Sequence, residues 1–232
     1  GEQSTDRSPM KPNQTIDTHI LSSKSELLFD KSSLDLTIGY TSNIRKEFEE
    51  GEDGAALHMN LNTINYNLQY HLPKYGILET IIGTQGLHQT NTNYGEELLI
   101  PDATTNDIGF FGTSHLHLNE NNDMQLGIRY DHRAISGKEN GVINEEGYIP
   151  ELDRDFSSFN AALGYKINFL DNFVTRINLA TGYRAPNLAE LTSNGVHEGT
   201  NRFEIGNPDL KNEQNLQTDL ALEYKNEHFE VY

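Results

Sequence analysis

The chain has 232 residues and 26.2 kDa, one large domain or two small ones by length, with 35% apolar residues, a mean hydropathy of −0.65 and a formal charge of −18. No run approaches the ~18 apolar residues of a membrane-spanning helix, and the excess of 35 acidic over 17 basic residues opposes a nucleic-acid partner, because an acidic surface repels a polyanion. With no Cys there are no disulfides, thiolate nucleophiles or zinc-finger sites, which suits an oxidising compartment; the polar, Pro-containing stretch Gly1 to Asn13 lacks the apolar core of a signal peptide, as expected of a mature, trimmed or partial chain.

From the N-terminus onward the dominant pattern is period-two alternation in segments separated by turn residues, which sends apolar side chains to one face of a strand and polar ones to the other. Leu34, Leu36, Ile38 and Tyr40 alternate with Asp35, Thr37 and Gly39. Leu57, Met59 and Leu61 are odd, whereas Ile64, Tyr66, Leu68, Tyr70 and Leu72 are even, so a β-bulge near Thr63 is expected to restore one face. Ile108, Phe110, Leu116 and Leu118 share one parity, with His115 and His117 on the other. Met124, Leu126, Ile128 and Tyr130 oppose Gln125, Gly127, Arg129 and Asp131; Phe159 to Phe169, Phe173 to Tyr183 and Leu216 to Tyr224 behave alike. Helical spacing fits none of these segments. The pattern predicts an all-β, antiparallel chain of about ten strands, approximately 14–29, 34–48, 55–72, 77–91, 106–119, 124–137, 155–170, 172–183, 213–226 and 228–232.

The connections alternate in length. Short turns fall at Asp30–Ser33, Pro73–Gly76, Glu120–Asp123 and Leu170–Asn172; long polar loops fall at 92–105, 138–154 and 184–212, with a shorter one at 49–54. Short turns on one side and long loops on the other describe an outer-membrane β-barrel, and Tyr66, Tyr70, Phe169, Phe173 and Tyr183 stand where interfacial aromatic girdles would lie. A soluble β-sandwich also alternates apolar and polar residues, although its loops need not alternate in length.

The run Gly182-Tyr183-Arg184-Ala185-Pro186-Asn187-Leu188-Ala189-Glu190-Leu191, followed by Gly206-Asn207-Pro208-Asp209-Leu210-Lys211-Asn212-Glu213, resembles the barrel of TonB-dependent outer-membrane receptors. Segment 85–102 is similar to an earlier loop of some members. Locally, Pro186 must end a strand, 187–191 suits a short helical turn with Leu188 and Leu191 on one side, and Glu213 restarts the ladder. Tyr183, Arg184, Ala185, Pro186, Glu190, Leu191, Gly206, Asn207, Pro208, Leu210 and Glu213 therefore read as a structural loop motif. The resemblance implies a transmembrane barrel of about 22 strands enclosing a plug. No plug or TonB-box segment is recognisable here, and residues 1–232 read as a partial barrel.

It further implies residence in the outer membrane of a Gram-negative bacterium and active uptake of a scarce nutrient. A ferric siderophore or other iron complex is the first expectation and zinc the second. The partners implied are the TonB energy-transducing complex, engaged through the plug, together with outer-membrane lipid and lipopolysaccharide. A passive porin-like or adhesive barrel and an outer-membrane hydrolase are the competing classes.

In such a barrel Arg129, Asp131, Lys166, Arg176, Asp219, Glu223 and Lys225 take the lumenal parity, to meet a plug or a polar substrate. His115 and His117 lie on one face of a strand, about 7 Å apart by the rise per residue, and neutral imidazoles there are candidate metal ligands at the periplasmic end. His197 and Glu198, with Arg202 and Glu204 further along the same loop, are the substrate or zinc candidates, in a loop similar to those of outer-membrane zinc receptors. Acidic loop clusters (Glu49, Glu50, Glu52, Asp53; Glu96, Glu97; Glu145, Glu146) suit divalent ions that bridge to lipopolysaccharide phosphates. No nucleophile elbow, phosphate loop or metalloprotease helix occurs, so no catalytic residue and no resident cofactor are assigned, and an enzyme is not expected.

Overall fold

Strands that alternate greasy and polar residues must pair side by side to satisfy their backbone, and successive antiparallel pairing needs only tight turns. A computed structural model describes residues 11–49, 53–95, 97–98, 100–145, 147–170, 172–197 and 202–231 and has this form. The strands are β1 (Asn13–Leu28), β2 (Ser33–Phe48), β3 (Leu57–His71), β4 (Leu78–Asn93), β5 (Ala103–Asn119), β6 (Asn122–Gly137), β7 (Leu152–Phe169) and β8 (Phe173–Arg184). A helix α1 (Leu188–Thr192) and strands β9 (Asn194–His197), β10 (Arg202–Ile205), β11 (Glu213–Lys225) and β12 (Glu230–Val231) follow. One antiparallel sheet runs β1-β2-β3-β4-β5-β6-β7-β8-β11-β12, each strand beside its neighbour in this order, and β9 with β10 makes a separate hairpin within the β8–β11 connection. Among the described residues β1 and β12 are the sheet's edges.

The two faces differ as the alternation requires. Ile108, Phe110, Ile128, Phe159, Ile177, Leu216 and Leu220 are exposed on the outward face, the lipid-facing side of a barrel wall. On the other face, Asn65, Gln85, Asp107, Arg129 and Asp131 of neighbouring strands line one shared recess and Gln125, Gly164 and Asn178 another, which makes this the lumenal face. At the short-turn end a chain of rings closes the outward rim. Phe169 stacks on Phe173 at 5.3 Å, Phe173 meets Tyr224 at 4.7 Å, and Tyr224 meets Phe229 at 5.5 Å.

The bulge expected near Thr63 is absent: β3 pairs in unbroken register with β2, from Ser33↔His71 to Glu47↔Leu57, and with β4. Leu57, Met59 and Leu61 instead point into the lumen at the long-loop end. Leu57 and Met59 are buried there, and the same lumenal face carries a separate apolar core along the wall. Ile135, Leu152 and Phe156, all lumenal in parity, bury with Ala185 and Leu191, and Tyr183, Leu188 and Leu210 pack against them. Leu61 and Leu87 line a neighbouring recess with Ile100, Ile135 and Leu188.

Tyr183 is a second departure, since it does not join the outer girdle. The β7–β8 ladder stops at Ala162↔Ala180, and beyond it Ala161 N–H donates to the Thr181 hydroxyl at 2.9 Å rather than to a backbone carbonyl. Past this point β7 continues along β6 while β8 stays with β11. Freed from β7, Tyr183 leans onto the inner core, where its hydroxyl is buried.

Candidate functional site

The lumenal wall below the long loops is built from the polar parity of β3 to β6 and the end of β8. Asn65, Gln85, Asp107, Arg129, Asp131 and Arg133 share a recess of about 610 Å³ with Tyr183, Arg184 and Ala185. The charges on this wall occur in pairs. Arg133 Nε donates to Asp107 Oδ1 at 2.7 Å and its Nη2 to Oδ2 at 2.5 Å, a two-point contact across the β5–β6 ladder. Arg129 Nε donates to both oxygens of Asp131, at 2.9 and 2.7 Å, two residues along the same face. This second pair closes over Gly109: a Cβ there would stand 2.5 Å from Arg129 Nη2 and from Asp131 Oδ1, so a larger residue would push the pair aside. Arg129 also sits 5.7 Å from the centroid of the Phe111 ring. Lower on the wall Arg176 pairs with Glu223 across the β8–β11 ladder. Such a surface offers donors and acceptors with little net charge, suited to holding a polar solute without chemistry.

Above the recess the loop motif folds into a compact collar. Pro186 ends β8 after Arg184, and Asn187 caps α1. The Asn187 side chain accepts from Glu190 N–H at 2.8 Å while Glu190 Oε2 accepts from Asn187 N–H at 2.9 Å, a reciprocal capping box. Arg184 then links both ends of the excursion. Its Nη1 donates to Glu190 at 2.9 and 3.0 Å, and its Nε and Nη2 to Glu213, the first residue of β11, at 3.0 and 2.6 Å. Hydrogen bonds from Arg184 and from Asn187 N–H hold the Glu190 carboxyl below the usual carboxylate range.

Ala185 and Leu191 are core residues beneath this collar. Gly206 lies against the backbone of Leu191 to Ser193, where a Cβ would stand 2.6 Å from Thr192 N. Its N–H donates to Ser193 O, and Asn207 N–H to Glu190 O at 2.8 Å. The Asn207 side chain accepts from Asp209 N–H at 2.9 Å, Pro208 is exposed in that turn, and Leu210 offers its carbonyl to Arg154 at 2.8 Å.

The zinc-loop residues lie farther out. His197 ends β9 opposite Arg202 at the start of β10, Glu204 is exposed on β10, and Glu198 falls outside the described residues. Where an irregular loop was expected, Asn194–His197 forms a hairpin with Arg202–Ile205, tied to the 137–152 connection by Asn194 Nδ2 donating to Tyr148 O at 2.9 Å. The structure does not bring His115 and His117 near this loop; they sit at the opposite end of β5. Asp107 and Arg133 were not singled out from the sequence. Their signal was present, since both share the lumenal parity of Arg129 and Asp131.

Over residues 5–231 the sequence matches the family described as "TonB dependent receptor-like, beta-barrel". Solved structures share the fold at low identity. The siderophore receptor PiuA from Acinetobacter baumannii gives a TM-score of 0.68 at 12% identity, over 91% of this chain and 38% of that one. The copper transporter OprC gives 0.66 at 14%, over 91% and 37%. The ferric citrate transporter FecA gives 0.61 at 12%, over 91% and 32%. The chain thus spans less than two fifths of the length of these three structures. Its alternating wall, its paired lumenal charges and the match along nearly the whole sequence place the chain in the TonB-dependent receptor-like β-barrel family, whose members are bacterial outer-membrane transporters rather than enzymes.

Proposed function

We propose that the chain forms part of the wall of an outer-membrane receptor that takes up a metal complex, with a ferric siderophore or similar iron complex as substrate. In this reading the wall belongs to a larger barrel that encloses a plug, and transport draws on the TonB energy-transducing complex. The observation that carries it is the polar recess on the lumenal face, walled by Asp107–Arg133 and Arg129–Asp131 and roofed by the collar. A recess with paired charges and many amide groups suits a bulky hydrogen-bonding chelate better than a bare ion. The solved relatives described as siderophore, ferric citrate and copper proteins support uptake of metal-containing cargo. Zinc is the second reading, favoured by the outer hairpin that sets His197 at the strand end beside Glu198.

The test is uptake of radiolabelled iron chelates and of zinc by cells carrying the intact receptor, with and without a working TonB system. The expected result is TonB-dependent iron-complex uptake, lowered about tenfold or more by Arg133→Ala, on the scale of a lost charge-assisted contact. Zinc uptake alone, weakened by His197→Ala, would replace iron with zinc. Uptake indifferent to TonB would make the protein a passive barrel and overturn the reading.

A further inference from the structure

The short-turn end of the lumenal wall holds four metal-ligating side chains from three neighbouring strands. Glu79 projects from β4, His115 and His117 from β5, and Asp123 from β6. One ligand atom from each of Glu79, His115 and His117 lies within 4.8 Å of the others. Two residues apart on a strand, the imidazoles would stand about 7 Å apart by backbone rise alone. They instead lean together until their ring centroids are 4.1 Å apart.

Asp123 explains the convergence. Its Oδ1 lies 2.8 Å from His117 Nδ1 and 3.3 Å from His115 Nε2. An ionised Asp123 accepts from His117 Nδ1–H, and in the neutral imidazole that tautomer leaves the Nε2 lone pair for a ligand. That Nε2 faces Glu79 Oε1 at 3.6 Å. A carboxylate that orients an imidazole by its far nitrogen while the near nitrogen meets another donor is the arrangement metal-ligating histidines use. Bonds of 2.0–2.2 Å at tetrahedral angles place donor atoms roughly 3.3–3.6 Å apart; His117 Nε2 and Glu79 Oε1 already stand at 3.6 Å, and a His115 nitrogen lies within 4.8 Å of both, so small side-chain rotations close the set.

We infer that Glu79, His115 and His117, with Asp123 orienting His117, form a binding site for a first-row divalent transition ion such as zinc or nickel on the lumenal wall. Imidazole donors select these ions over magnesium and calcium, which take all-oxygen sites. Lys74 pairs with Glu79 at 2.7 Å and Lys166 stands 3.8 Å from Asp123. An incoming dication takes over the charge balance and frees Lys74, whose side chain is more than half exposed. The bound ion cross-links β4 and β5 directly and β6 through Asp123, next to the turn where the β5–β6 register shifts between His117 and Asn119. It is a clip in the wall, far from the outer hairpin. Placing it at the periplasmic rim rests on the barrel reading above; the site itself rests on the side-chain geometry.

The experiment uses the intact receptor, stripped of metal in detergent and carrying His197→Ala so that the outer loop contributes nothing. Zinc and nickel are titrated by calorimetry, with magnesium as competitor, and thermal unfolding is followed with and without zinc. One zinc per chain is expected, indifferent to excess magnesium, with affinity falling at least a hundredfold in His115→Ala and in His117→Ala. Asp123→Asn should weaken it by 10–100-fold, the range for an orienting partner. Zinc should raise the thermal midpoint of the parent but not of His117→Ala. Glu79→Gln, which keeps shape and fold, guards against loss through misfolding and should also weaken binding. Binding unchanged in both histidine variants, or no zinc binding by the stripped receptor, would reduce the cluster to an ion-pair network and overturn the inference. Cargo uptake is read separately, so failure of the clip and failure of the iron reading are distinguishable.

Discussion

At the scale of single residues, Glu190 does three tasks: it caps α1, it receives Arg184, and its carbonyl anchors Asn207. Because its folded pKa lies below its ordinary value, its contribution is fully present above the ordinary carboxylate range, near pH 4.3, and is lost as pH falls through the lowered value. Amide hydrogen exchange in the intact receptor should therefore show residues 187–193 and 206–207 losing protection as pH drops from about 5 toward 3, after correction for intrinsic exchange. Glu190→Gln should lower that protection severalfold at neutral pH and flatten its pH dependence. Unchanged protection in the variant would remove Glu190 from the collar's support. Arg184, Glu190 and Glu213 were legible in the sequence as a loop motif flanking Pro186. Their mutual ion pairing was not, because spacing along a loop does not say which carboxylates share one guanidinium.

Among elements, the informative contrast is between the two ends of β3 and of β6. Lower on β6, apolar Leu126 and Ile128 face outward and polar Gln125 and Arg129 inward, which alternation alone reveals. At the upper end Ile135 keeps the inward parity yet is apolar and buried, because α1 and the 205–212 segment return over it. Periodicity reports that a strand has two faces but not what later folds onto each. Alternation alone therefore reads Leu57, Met59 and Leu61 as a register slip and sets Tyr183, diverted where β8 leaves β7, in the girdle. The inner core predicts that Leu191→Ala, which empties a site only 2% exposed, costs roughly 2–5 kcal/mol. The loss should appear as local opening: limited proteolysis would cut within 185–212 much faster, while the transmembrane strands remain resistant. Equal sensitivity throughout would mean that the inner core is continuous with the wall's stability.

For the whole molecule, the assignment of faces makes the sharpest claim. Ile128 stands near the middle of β6, 58% exposed on the outward row. Ile128→Lys should destabilise the receptor in lipid vesicles by roughly 2–4 kcal/mol, the cost of a lysine at the bilayer midplane. Gln125→Lys, on the lumenal parity of the same strand, should change stability by less than about 1 kcal/mol. Denaturant unfolding in vesicles measures both, and a reversed order would turn the sheet inside out. This level was the most legible in the sequence, because ten paired strands with short turns at one end and long loops at the other leave few architectures. The ion cluster at the short-turn end was only half legible: His115-x-His117 is visible in the sequence, but Glu79 and Asp123 join it only through the β4–β5 and β5–β6 registers.

The double contact of Arg184 has a consequence for how such a wall can change. By binding the start of α1 and the start of β11 at once, one guanidinium pinches the β8–β11 excursion shut at its neck. The register of β8 with β11 is thereby set below the neck, independent of what extends above it. Closing a longer loop costs free energy only logarithmically in its length. The hairpin and its flanks can therefore lengthen, shorten or be exchanged while the strands beneath keep their alignment. The outer segment is an interchangeable head on a fixed stem, open to change without rebuilding the strands beneath it.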